Sequence, residues 1–258
     1  MTTTWDIPAG SGDRWPEDYE RGRPGWPLAA VRVARLPPTA SVLDVGAGTG
    51  KLTRLLASEF RRVVAIEPAE AMRRLLVVHC PGVEALAGTG QEIPLADASV
   101  DAVYAAQSFH WFDDARAVTE IARVLRPGGA LVLMWNRPAG PWEPPTVAAE
   151  AVLTERMPEE VDHIPLDLGG PTAGSGWRPA LADPFEPFEA SMFPNPQTVD
   201  RDGLVAFYAS MGWLAELPDD ERLPLLDAVR SRLPAGEYHR LWETHVHWAR
   251  LGARVPPC

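Results

Sequence analysis

The sequence predicts an α/β fold built around a doubly wound, mostly parallel sheet, and three observations carry that expectation. Between residues 42 and 134, short apolar runs alternate with stretches of helical periodicity. The first apolar run leads into Gly46-Ala47-Gly48-Thr49-Gly50, a glycine turn that opens a helix. The second ends on an acid, Glu67. Strands and helices in alternation need crossover connections, which set parallel strands side by side with helices on both faces.

Residues 1–27 hold four prolines and three tryptophans with no sustained period, which predicts an ordered N-terminal flap without a regular element. A short helix over 28–34 comes next. Strands are expected over 42–45, 63–66, 83–87, 100–105 and 130–134, with helices over 52–58, 69–79 and 115–124 between them. Residues 28–136 are thus expected to form the core, the part that would bind a ligand. The rhythm breaks over 137–187, where ten prolines surround one helical stretch at 146–156. Long irregular segments in compact domains are usually functional, so this one is expected to be a substrate-covering insertion. Strand-like alternation returns at 188–193 and 242–248, with helices over 201–211 and 221–232, so residues 188–258 are expected to complete the sheet and add a helical cap.

The chemistry begins at the glycine turn. Glycines at 46, 48 and 50 allow positive φ and close approach of a ligand where a Cβ would collide. A dinucleotide-binding turn spaces its glycines G-x-G-x-x-G to seat a pyrophosphate on the helix N-terminus. Here the third glycine comes one residue early, and Lys51 occupies the expected position. With Asp44 just ahead of it, the turn suits a nucleotide-type ligand that carries no pyrophosphate. Glu67, about 20 positions on at a strand's carboxyl end, is placed to accept hydrogen bonds from both hydroxyls of a ribose.

These segments resemble the successive motifs of class I S-adenosylmethionine-dependent methyltransferases, and most closely the type 11 methyltransferase domain. The resemblance runs through residues 44–53, Glu67-Pro68, residues 93–103 and residues 120–129. Two further segments, residues 19–27 and Gln107-Ser108-Phe109-His110-Trp111-Phe112, resemble a bacterial branch that acts on small molecules. The resemblance implies a Rossmann-like sheet of seven strands, the last inserted antiparallel. It implies S-adenosyl-L-methionine as cofactor, held by Arg23, Asp44, Gly46, Ala47, Gly48, Gly50, Glu67, Pro68, Met72, Thr89, Gly90, Gln91, Gln107 and Ser108. In it, Arg23 reaches the methionine carboxylate of the cofactor through paired, charge-assisted hydrogen bonds. Gln91 stands where the branch more often has Glu, which leaves its side-chain contact with the adenine amino group open, whereas a backbone contact from Gly90 would survive.

His110 falls just past the fourth strand, on the rim where open α/β sheets place ligands. It is the candidate general base or substrate anchor; the alternative is a histidine wedged among Phe109, Trp111 and Phe112 as pocket wall. Trp26, Trp111 and Trp142 are candidate substrate contacts, since aromatic walls suit an apolar or planar acceptor. For Asp44 the alternative to a cofactor-site role, which its place beside the glycine turn favours, is a carboxylate that only caps the turn. His245 and His247 share one strand face, yet no third ligand accompanies them, so no metal is expected.

A formal net charge of −11 and a single lysine argue against a nucleic-acid substrate, because a phosphate backbone is gripped by clustered Lys and Arg. Two cysteines make no disulfide framework, and neither a secretory leader nor a membrane-length apolar run is evident, so a cytoplasmic protein is expected. The sequence is silent on oligomeric state. The leading expectation is methyl transfer to a hydroxyl or carboxylate oxygen of a small molecule. The alternatives are a cofactor-binding protein that transfers nothing and, against the glycine spacing, an NAD-dependent oxidoreductase.

Overall fold

The computed structural model describes residues 15–112, 114–140, 143–157, 181 and 183–252. Its frame is a seven-stranded sheet. Five strands, β1 (Ser41–Val45), β2 (Arg62–Ile66), β3 (Glu84–Leu86), β4 (Val100–Ala106) and β5 (Leu125–Pro138), come from the first half of the chain. Between them run α3 (Lys51–Glu59), α4 (Glu70–His79) and α5 (Ala115–Val124). The C-terminal part adds β6 (Glu189–Pro194) and β9 (Trp242–Arg250), giving the order β3-β2-β1-β4-β5-β9-β6. All pairings among the first five strands are parallel, and β9 is inserted antiparallel between β5 and β6. This is the predicted Rossmann-like architecture.

The sheet is covered on both faces, which is why its strands are near-continuous apolar runs. On one face Leu43, Val45, Val64 and Val103 pack with Ile121 and Val124 of α5. On the other, Val42, Ala102 and Tyr104 pack with Leu52 and Leu56 of α3, and with Ala30 and Val31 of α2 (Leu28–Val31). The chain reverses its winding direction between β1 and β4, which sit side by side. In open α/β sheets a crevice opens at that switch point, beyond the carboxyl ends of the strands.

The N-terminal flap departs from expectation. It holds a helix, α1 (Pro16–Gly22), started by Pro16 in the first helical positions with Glu17 and Asp18 in the first turn. Seven residues make fewer than two turns, too few for periodicity to reveal. Residues 1–14, and with them Trp5, lie outside the described residues.

The insertion likewise begins with a helix, α6 (Pro144–Thr154), close to the predicted stretch. Ala149 and Leu153 of α6 join a separate apolar cluster with Leu204, Tyr208, Leu214, Val229 and Trp242. That cluster is the core of the C-terminal unit, built from α7 (Arg201–Ala209), α8 (Gly212–Glu216) and α9 (Asp219–Arg232). The unit also contains a two-stranded antiparallel ribbon that the sequence did not suggest, β7 (Gln197–Asp200) with β8 (Glu237–Arg240). Its strands are four residues each and far apart in the chain, so no hairpin signal announces them. No helix among the described residues is long and apolar enough to cross a membrane.

Candidate functional site

Three elements meet at the switch point. The turn after β1 places Gly46, Gly48 and Gly50 at φ +68°, +57° and +88°, a backbone that side-chain-bearing residues rarely adopt. The N–H groups of Gly46 and Ala47 donate to the Ile66 carbonyl at 2.9 and 3.0 Å, which pins the turn to the end of β2. Gly50 must lack a side chain for a second reason: a Cβ there would lie 2.7 Å from Cys80 Sγ, against the end of α4. At Gly48 a Cβ would meet only the Tyr19 ring, at an ordinary contact distance of 3.8 Å, so this position is not crowded as Gly50 is.

Two carboxylates frame the turn. Glu67 follows β2, and its Oε2 accepts from Gly48 N–H at 2.8 Å while Oε1 accepts from Ala69 N–H at 3.0 Å. Asp44 is only 1% exposed on β1. Its Oδ2 accepts from the Thr53 hydroxyl at 2.6 Å, and Oδ1 is buried with no hydrogen-bond partner among the described residues. Burial pushes the Asp44 carboxyl up to about 7, aided by the neighbouring Glu67 charge and opposed by the Thr53 hydrogen bond. A buried carboxylate oxygen awaiting a donor, next to a glycine backbone, fits a ligand that carries hydrogen-bond donors and positive charge.

Across the crevice, β4 is followed by Gln107, held at φ +51°, and Ser108. The Ser108 hydroxyl donates to the Val45 carbonyl at 2.6 Å, clasping the ends of β4 and β1 together. Gly90 lies under the Phe112 ring, where a Cβ would fall 2.3 Å from Cδ2. Thr89 is exposed and bridges to Glu92 through the backbone, Pro68 is exposed, and Met72 is buried on α4. Asp44, Gly46, Ala47, Gly48, Glu67 and Ser108 therefore converge as expected. The Gln91 side chain does not join them: its Nε2 donates to Asp114 Oδ2 at 3.0 Å, the cap of α5.

Arg23 is drawn toward the C-terminal unit. Its Nε donates to Ser210 Oγ and its Nη2 to the Ser210 carbonyl, both at 2.7 Å, and the guanidinium lies 4.9 Å from the Phe207 ring centroid. It touches the site through Tyr19, whose ring centroid is 5.6 Å away. Trp26 packs against the core cluster on the α2–α3 face. Trp142 lies outside the described residues. His110 sits in a 3₁₀ turn (Phe109–Trp111), its ring 4.7 Å from that of Trp111, which is 42% exposed. The Nδ1 of His110 is buried without a hydrogen-bond partner among the described residues, and burial lowers the imidazole to about 4. His247 is buried and His245 pairs with Glu243 at 3.5 Å; no metal-type cluster occurs among the described residues.

Sequence reasoning gave no role to several groups that complete the site. Tyr19 lies against Gly48, and Glu20 accepts from the Thr49 hydroxyl at the turn. Asn136, at the end of β5, donates to the Gly25 carbonyl at 3.0 Å and accepts from Thr244 Oγ1, holding the flap over the crevice. Tyr19 and Glu20 belong to the flap segment already singled out, but nothing in their spacing shows what they touch.

Comparison with known proteins bears on this geometry. A family model described as methyltransferase domain matches residues 43–133. An uncharacterized methyltransferase of Mycobacterium tuberculosis is 52% identical over 217 residues, 83% of this chain and 82% of the relative. A malonyl-[acyl-carrier protein] O-methyltransferase of Methylococcus capsulatus is 43% identical over 101 residues, 37% of each chain. Among solved structures, a type II methyltransferase from Anaeromyxobacter dehalogenans aligns with TM-score 0.61 at 24% identity, over 88% of this chain and 97% of the other. That likeness speaks for the fold.

Proposed function

The chain belongs to the class I S-adenosylmethionine-dependent methyltransferases, and from that premise we propose that its acceptor is a small molecule methylated on oxygen. The observation that carries the proposal is the placement of His110: a buried Nδ1 with no partner among the described residues, on the rim of the switch point and beside the exposed Trp111 ring. One polar atom against an aromatic wall is the makeup of a small-molecule pocket. A net charge of −11 works against a polyanionic acceptor. The relative named for O-methyl transfer supports oxygen, through the 37% of the chain that it shares.

When bound, the cofactor supplies an electrophilic methyl on a sulfonium whose leaving group is a neutral thioether. The residues present fit it: Glu67 faces the turn where a ribose would lie, and the orphaned Oδ1 of Asp44 offers an acceptor for its cationic portion. The protein's own task is orientation and exclusion of water, which can supply roughly 7 to 11 kcal/mol. His110, neutral at physiological pH, acts in this reading as a hydrogen-bonding anchor for the acceptor; a base works best with a pKa near the operating pH.

The test is calorimetric titration with S-adenosylmethionine, S-adenosylhomocysteine and NAD in parallel, then a screen of hydroxyl and carboxylate acceptors for release of S-adenosylhomocysteine. Turnover with such an acceptor supports the proposal. Binding of the first two ligands with turnover on a macromolecule alone overturns it.

A further inference from the structure

Helix α1 is fastened on two sides. Toward the cofactor turn, the hydrogen bonds of α1 among the described residues run through Glu20. Its Oε2 accepts from the Thr49 hydroxyl at 2.5 Å, and its Oε1 accepts from Arg54 Nη2 at 2.8 Å. Lys51 Nζ and His79 Nδ1 stand 3.9 Å from the same carboxylate. A single side chain thus gathers the glycine turn, the first turns of α3 and the last residue of α4. Toward the C-terminal unit, Gly22 is pressed onto α7 so closely that a Cβ would lie 2.1 Å from the Phe207 backbone nitrogen. Arg23 holds Ser210, the Gly22 carbonyl accepts from Gln197 Nε2 at 2.9 Å, and Asp18 pairs with Arg222 at 3.0 Å.

A helix of seven residues has no stability of its own in water, because nucleation is unfavourable and few hydrogen bonds follow it. Its place is set by its two anchorages, and loosening one weakens the other. The anchor on the turn side is Thr49, inside the loop that must order around a bound cofactor.

We propose that Glu20 is a positioning residue that makes α1 the link through which an occupied cofactor turn holds the C-terminal unit in place over the acceptor. The proposal rests on the methyltransferase reading. Tyr19 and Arg23 ride on the same link: Tyr19 is set over Gly48 and Arg23 onto Ser210 only while Glu20 grips Thr49 and Arg54. Occupancy and capping are then one cooperative event, in which a ligand that favours the ordered turn also favours the docked cap.

The experiment is hydrogen exchange on the full chain with and without saturating S-adenosylhomocysteine, comparing wild type, Glu20→Gln and Ser210→Ala. In wild type the ligand should slow exchange at residues 46–50 and, by about fivefold or more, at residues 201–211. In Glu20→Gln the protection at 46–50 should persist while that at 201–211 is lost. Ser210→Ala, which removes the Arg23 Nε contact and so weakens the far end, should keep protection at 46–50 and at Tyr19 and reduce it at 201–211; it carries the test should Glu20→Gln fail to fold. Equal protection at 201–211 in all three proteins would overturn the link. No protection at 46–50 in wild type would overturn the cofactor reading itself, and the proposal with it.

Discussion

The cofactor side and the C-terminal unit of this protein are built by different physics. The cofactor side, from β1 to β4, is made of backbone: left-handed glycines, carbonyls of β1 and β2, and two acids at or near strand ends. Each piece lies within a few residues of the strand that places it. The C-terminal unit is made of side-chain contacts between distant parts of the chain, such as Arg23 with Ser210, Asp18 with Arg222, and Glu150 with Tyr208. A cofactor shared by a whole family can be gripped by local geometry, whereas contacts between distant parts of the chain are free to vary from one member to the next.

The sharpest test of the cofactor side is the cost of its buried acid. The Asp44 carboxyl is raised from its ordinary value to about 7, and the groups facing it are Thr53, Glu67, Tyr19 and Cys80. An unfolded carboxyl titrates near 3.9, so between about pH 4 and pH 7 the folded protein holds a proton that the unfolded chain has released. Stability from this group must therefore fall as pH rises across that window and level off above it. Asp44→Asn should remove that slope and make the unliganded protein more stable at pH 8, with a ceiling of about 4 kcal/mol at about 1.4 kcal/mol per unit. The same variant should bind S-adenosylmethionine more weakly. Urea unfolding across pH checks the first half, and parallel pH slopes in the two proteins would refute it.

On the C-terminal side the matching test is Gly22→Ala. The added methyl would strike the Phe207 backbone, which cannot move aside as a flexible side chain can. Overpacking of that kind should lower stability by about 3 kcal/mol and open the seam between α1 and α7. Gly48→Ala makes the contrast: its φ is left-handed but its Cβ would meet only the Tyr19 ring, at an ordinary contact distance of 3.8 Å, so stability should fall by only about 1 to 2 kcal/mol. Thermal melts of both variants decide whether the two regions differ in this way.

The same difference explains what was legible in the sequence. The glycine turn and the acid at the end of β2 followed from spacing, because each rests on local backbone requirements, whereas the seven strands and the antiparallel last one followed from the family resemblance. Helix α1 and the β7–β8 ribbon were missed because their elements are short and owe their existence to partners far along the chain. Gln91 and Trp26 were assigned from position alone. Position does not show that a caged helix cap or an apolar cluster competes for the side chain, and here Asp114 takes the first and the core takes the second.

A smaller effect separates binding from architecture at Glu67. Its carboxylate grips Gly48 and Ala69 in the unliganded protein, so Glu67→Ala removes both a turn contact and the expected ribose acceptor. S-adenosylmethionine affinity should drop by roughly 1.5 to 3 kcal/mol, the worth of hydrogen bonds to a charged group. Calorimetry that finds unchanged affinity would remove Glu67 from the cofactor site.

The smallest predicted effect lies on the acceptor side, and it decides what kind of residue His110 is. A general base would supply about 10² to 10⁴-fold of the rate, and its loss would flatten the acidic limb of the pH–rate profile. An imidazole held near 4 by burial is already neutral across the working range, so it has no such limb to lose. What it can lose is one hydrogen bond from Nδ1 to the acceptor, worth roughly 0.5 to 1.5 kcal/mol. His110→Gln keeps a polar group there and should therefore raise the acceptor KM by about tenfold or less, with kcat and the pH profile nearly unchanged. A hundredfold fall in kcat together with a lost pH limb would instead make His110 the base, and would mean that acceptor binding reshapes its surroundings enough to restore an ordinary pKa.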